Sequence, residues 1–95
     1  MAHTMKAFSF HSLERIVRGF SNHRRIEILA LLRKRPELSL IEIADALKIN
    51  FKTASAHVQR LAVAGLVLKR SHGSMVRHKV TRRAENILKF LRTLE

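Results

Sequence analysis

The sequence predicts a mostly helical α+β fold, and three observations carry that prediction. Apolar residues recur at helical spacing along four successive segments and again near the end of the chain. Between residues 66 and 80 the helical spacing gives way to a period of two around Gly73. Breakers are few, one proline and three glycines, so the periodic runs can continue as whole helices. At 95 residues the chain suits one small domain and is too short for two. Residues 1–95 therefore read as a single unit, with 1–11 as an N-terminal arm.

Leu13, Ile16, Val17 and Phe20 give a first amphipathic helix from about Ser12. Ser21 or Asn22 can cap a second, in which Ile26, Ile28, Leu29, Leu31 and Leu32 cover most of the circumference. Such a helix belongs in the middle of a core. Pro36 ends it, because the residue before proline is pushed out of the helical region. Ser39 and Glu42 form a capping box for a short third helix with Leu40, Ile43, Ala44 and Leu47 as its stripe. Asn50 can cap a fourth, and Gly65 suits the left-handed residue that closes it. Thr81 can cap the last, striped by Ala84, Ile87, Leu88 and Leu91.

Residues 66–70 and 76–80 read as a β-hairpin. Pairing Leu66 with Val80 and Leu68 with His78 gathers the apolar side chains on one face, which predicts an odd-length loop of about three or five residues. That register sets Lys69 opposite Arg77, a like-charge pair that calls for something negative over it. Four helices, a hairpin and a final helix make the layout of a winged helix.

Charge points to the partner. Lysine and arginine number 19 against 7 acids, a formal net charge of +12. No acid lies between Asp45 and Glu85, where nine lysines and arginines fall. A solvated face tuned for solubility mixes both signs, so this one-sided stretch implies a polyanion. No apolar run approaches the roughly 18 residues of a membrane span, and the first residues lack the core of a signal peptide. A cytoplasmic protein with no membrane partner is expected.

The stretch from Ile49 to Val67 shows what the charge is for. On a helical wheel Ala54, Val58 and Leu61 share the core side. Opposite them lie Lys52, Ser55, Ala56 and Gln59, with Thr53 and Arg60 on one flank. Small, acid-free residues let a helix approach bases in the major groove of double-stranded DNA. Gln59 can pair with adenine, Lys52 can reach guanine or phosphate, and Thr53 and Ser55 can donate to phosphate. In the hairpin, Lys69, Arg70, Arg77 and Lys79 supply a basic wing, and His72 at its tip either touches DNA or is solvated. A short capped helix, a tight turn and this helix together make a helix-turn-helix. The competing reading is a winged-helix interaction module for protein or double-stranded RNA, against which the lack of aromatic anchors on this face speaks.

Residues 40–67, "LIEIADALKINFKTASAHVQRLAVAGLV", resemble the helix-turn-helix of the ArsR-type winged-helix repressors in Ala44, Leu47, Thr53, Ser55, His57, Leu61, Ala64, Gly65, Leu66 and Val67. "SNHRRIEILALL" is similar to that family's core helix, while the Ala-Gly-Leu-Val ending is shared with MarR-like groups. The resemblance implies a homodimeric DNA-binding repressor whose terminal helices form the dimer interface. The apolar surplus agrees: Leu13, Ile16, Val17 and Phe20 on the first helix, Ile87, Phe90, Leu91 and Leu94 on the last, more than one small core can use.

The sensing chemistry of metal-responsive members is missing. Residues 41–45 carry no cysteine, the chain has none at all, and the last helix has no histidine. The six histidines are dispersed, so no metal or other cofactor is expected. His57 is expected to pack or meet phosphate, and His78 to pack. Ser71 and Ser74 flank His72 without a nearby acid, so no catalytic residue is expected and the chain does not read as an enzyme.

Overall fold

The computed structural model describes residues 9–95. The elements are α1 (Phe10–Phe20), α2 (His23–Lys34), α3 (Leu40–Leu47), α4 (Phe51–Val63), β1 (Val67–His72), β2 (Met75–Val80) and α5 (Arg82–Arg92). Most of the N-terminal arm, residues 1–8, lies outside the described residues. Helix α1 starts two residues earlier than the apolar spacing suggests, because Ser9 caps it and accepts from the Ser12 N–H. Phe10 and His11 thus belong to the helix.

The other starts fall where side-chain oxygens can satisfy free N–H groups. Asn22 caps α2, accepting from Arg24 and Arg25 at 2.9 and 3.1 Å. Ser39 and Glu42 complete the capping box of α3, Asn50 caps α4 and Thr81 caps α5. Gly65, at φ +76°, closes α4 as expected. Pro36 lies just beyond the end of α2, whose C-cap is Arg35.

Around α2 the core is drawn from every other layer. Ile28, Leu29 and Leu32 are fully buried with Ile43, Val58, Leu61 and Leu66. Ile16, Phe20, Ile87 and Leu88 pack partly against this cluster, so α1 and α5 wrap it from outside. Helix α1 crosses close over the end of α4 at Gly19, where an added Cβ would collide with the Ala64 methyl. Burial stabilises by about 25 cal/mol per Å2 of apolar area, and α2 contributes three of the largest fully buried side chains, Ile28, Leu29 and Leu32.

The hairpin corrects the expected register. Val67 pairs with Val80, Lys69 with His78 and Arg70 with Arg77. Only Gly73 and Ser74 separate the strands, an even loop rather than an odd one. Leu66 is buried ahead of β1, with its carbonyl accepting from the Thr81 N–H at 3.1 Å. Val67 therefore takes the inner position opposite Val80, and Leu68, expected inside, is 59% exposed. A partner distant in sequence fixes this choice: β2 also bridges to Leu38. His78 donates its N–H to the Leu38 carbonyl at 3.0 Å, and Glu37 donates to the His78 carbonyl at 2.9 Å. His78 is buried, as expected of a packing residue, with Nδ1 at 2.9 Å from the Leu38 carbonyl oxygen.

Candidate nucleic-acid interface

Helices α3 and α4 meet through a turn of two residues and a cap. Lys48 adopts a left-handed φ of 56° and directs its N–H back to the carbonyls of Ala44 and Asp45. Ile49 donates to Ala44 at 3.0 Å. Asn50 then accepts from Lys52 and Thr53 at 2.7 and 3.3 Å. These local bonds fix the angle at which α4 leaves α3, while Ala54, Val58 and Leu61 press its other side into the core.

The wheel assignment holds with one adjustment. Lys52, Thr53, Ala56, Gln59 and Arg60 are exposed, whereas Ser55 is half-buried. His57 is half-buried too, turned toward α2, where Arg25 Nη1 donates to its Nδ1 at 3.2 Å. Burial, and then the neighbouring Arg25 charge, push the His57 pKa down, which keeps the ring neutral and accepting. Arg25 Nη2 reaches the Arg18 carbonyl at 3.4 Å, tying the end of α1 to the same point.

Alternation along the strands puts Lys69 on the inner face with Val67, and Arg70 and Arg77 on the outer face. Lys69 Nζ donates to Gln59 Oε1 at 2.8 Å, so the foot of the hairpin is joined to the exposed side of α4. Lysine has only donors, which fixes the Gln59 amide with its oxygen toward the hairpin. Lys69, Arg70, His72 and Lys79 are exposed, and Arg77 is half-buried.

The like-charge pair is Arg70 with Arg77, not Lys69 with Arg77. The negative partner it needs lies within the chain. Glu37 Oε1 accepts from Arg70 at 2.8 Å, and the Glu37 carbonyl accepts from Arg77 at 3.0 Å. Glu37 itself holds a left-handed φ of 69°, a conformation uncommon for a residue with a Cβ. Sequence reasoning missed this residue. Its partners are 33 and 40 positions away, and the only local signal is a preceding proline. The other nearby acid, Glu42, is occupied by the capping box, where hydrogen bonds from Ser39 hold its carboxyl below its usual pKa.

Of the terminal residues, Leu13, Ile16, Phe20, Ile87 and Leu91 are half-buried, while Val17, Phe90 and Leu94 are exposed. A groove of about 380 Å3 between α1 and α5 is lined by Leu13, Ile16, Ile87 and Phe90. Among the described residues no group of histidines and acids is placed to hold a metal. Nor is any helix among them long and apolar enough to cross a membrane.

A capped two-helix motif with its second helix exposed, followed by a hairpin on the same face, is a winged helix-turn-helix. Residues 21–67 match the family described as winged helix-turn-helix DNA-binding. Among solved structures, the chain is similar to the homodimeric winged helix-turn-helix DNA-binding domain of a possible ArsR-family transcriptional regulator from Mycobacterium bovis. The identity is 28% over 90% of this chain and 79% of that one, with a TM-score of 0.82. HlyU from Vibrio cholerae matches at 25% identity over 88% of this chain and 91% of its own, with a TM-score of 0.76. The transcriptional repressor PagR of Bacillus anthracis shares the fold at 22% identity, over 87% of this chain and 99% of that one, with a TM-score of 0.75. No curated protein sequence matches. The fold is thus that of the winged helix-turn-helix DNA-binding transcriptional regulators.

Proposed function

We propose that the chain is a cytoplasmic repressor of the ArsR type that binds a palindromic operator as a homodimer. One observation carries this reading: α4 exposes an acid-free face that is hydrogen-bonded, through Lys69 and Gln59, to a basic hairpin. Lys52, Ala56 and Gln59 enter the major groove, while Thr53, Ser55 and Arg60 meet the flanking backbone. Lys69, His72, Arg77 and Lys79 follow the adjoining phosphates, with Arg70 beside them held on Glu37. Because the Lys69 bond turns the Gln59 oxygen toward the hairpin, the amide nitrogen is the group presented to the base edge.

The exposed Val17, Phe90 and Leu94, beside the groove containing Leu13, Ile16 and Ile87, form the surface that a second copy covers, with Phe20 and Leu91 behind it. A twofold axis there sets two recognition helices about 34 Å apart, one turn of DNA. The homodimeric state of the Mycobacterium bovis domain supports this arrangement.

Titration of random duplex DNA across a range of salt concentrations tests the reading. A dimer that neutralises on the order of ten phosphates gives a log–log slope of about −9. A slope shallower than about −3 would assign the basic face to a protein or another partner instead.

A further inference from the structure

A second concave surface borders the face of α4 assigned to DNA, sharing Gln59 and Arg60 with it, and the rest of its lining has no part in the DNA reading. A groove of about 830 Å3 runs between α1 and the C-terminal half of α4, a volume in the range of small-molecule sites. Its floor is apolar: Ile16, Gly19, Val63 and Ala64. Gly19 makes this floor possible by letting α1 settle onto Ala64. Val63, in the last turn of α4, is 78% exposed, an apolar side chain with nothing over it among the described residues.

The rim has the opposite character. Arg15, Arg18, Arg60 and Arg83 line the groove, and no acid does. Arg18 leans on Glu14 at 3.7 Å, and Arg83 bonds the Ala64 carbonyl at 3.1 Å. Arg15 and Arg60 have no carboxylate partner among the described residues. An apolar floor under a rim of four arginines with the neutral Ser12 and Gln59 fits a small organic anion.

We infer that this groove binds an amphiphilic organic anion, its apolar body on Ile16 and Val63 and its carboxylate or phosphate between Arg15 and Arg60. Because Arg60 also stands on the face of α4 assigned to DNA, the anion and a duplex compete. That second statement rests on the proposed function; the binding site does not.

The experiment is an NMR titration of the nitrogen-labelled full chain with naphthyl phosphate at physiological salt, in the absence of DNA. Saturable shifts are expected at Gly19, Arg60 and Val63, with a Kd of about 1 mM or tighter. Arg15→Gln and Arg60→Gln each weaken binding about fivefold or more, a loss expected of a charge-assisted contact. Arg33→Gln, on exposed α2 surface outside the groove, leaves it unchanged. Equal shifts from naphthalenemethanol or from inorganic phosphate overturn the site, as does equal sensitivity to Arg33→Gln. With duplex DNA added, saturating naphthyl phosphate lowers wild-type DNA affinity; an unchanged affinity overturns the competition. A chain that binds no duplex at all overturns the DNA reading, while the DNA-free titration still decides the site.

Discussion

Helix α4 and the hairpin stand side by side and touch through Lys69 and Gln59, yet they are held in place differently. Helix α4 is seated by buried side chains, with Ala54, Val58 and Leu61 at or near zero exposure, and by caps formed within a few residues of its start. The hairpin has Val67, His78 and Val80 inside, and further out Arg70 and Arg77 bond to Glu37. Packing of α4 does not respond to salt, whereas the exposed Arg70–Glu37 ion pair on the outer part of the hairpin does. The contrast separates an invariant reading surface from an arm whose position depends on charge.

The hardest blow to the packed side is Leu61→Ala. A fully buried leucine replaced by alanine loses about 2–5 kcal/mol, measured by urea unfolding. A loss under about 1 kcal/mol would mean that α4 is not anchored by its core face. Next comes Ser39→Ala, which removes the hydroxyl that caps α3 and should lower stability by about 1 kcal/mol. If the loss equals that of an exposed serine such as Ser74, the start of the helix-turn-helix is not held by its cap.

Glu37→Gln probes the other side. The Arg70 pair is exposed, so the stability change should stay below about 1 kcal/mol. Its effect shows in DNA binding instead: Arg70 is released to phosphate, and the salt slope steepens by about one per protomer. A large stability loss with no change in slope would place the hairpin in the packed class and erase the contrast.

The smallest effect is a pH dependence confined to the α2–α4 contact. The folded-state pKa of His57 is lowered, so between that value and its unfolded pKa the unfolded chain binds more protons. Stability is then complete above an unfolded value of about 6.5 and falls as pH drops through the window below it. His57→Asn should flatten this part of a thermal-melt profile between about pH 5 and 7. An unaltered profile would mean that the ring is not held neutral against Arg25.

What the sequence revealed follows the same division. Helix starts were legible at Ser39, Asn50 and Thr81, because a cap is a local arrangement of one side chain and the next three N–H groups. The core face of α4 was legible for the same reason, since helical period fixes it without reference to anything else. For α2, the apolar residues around most of the circumference gave its central place but not which side is most buried. The hairpin register was not. Leu66, Val67 and Leu68 are three apolar residues in a row, and alternation alone cannot say which of them faces inward. The decision came from Leu38, forty residues from His78 in sequence. On α4 the exposed positions were readable apart from the half-buried Ser55, whereas the Glu37 clasp and the Arg25 contact with His57, 32 residues apart, join segments that share no pattern.

The bridge at Leu38 has one more effect, on how these molecules behave toward each other. It occupies the outer edge of β2, while among the described residues β1 pairs with β2 alone and has no strand on its other edge. An open edge is a template for adding a foreign strand, and exposed Leu68 makes this one adhesive. Lys69 and Arg70 lie along it, and repulsion between two such basic strands opposes edge-to-edge addition. Concentrated salt removes that repulsion, and the unguarded strand is then where clumping begins.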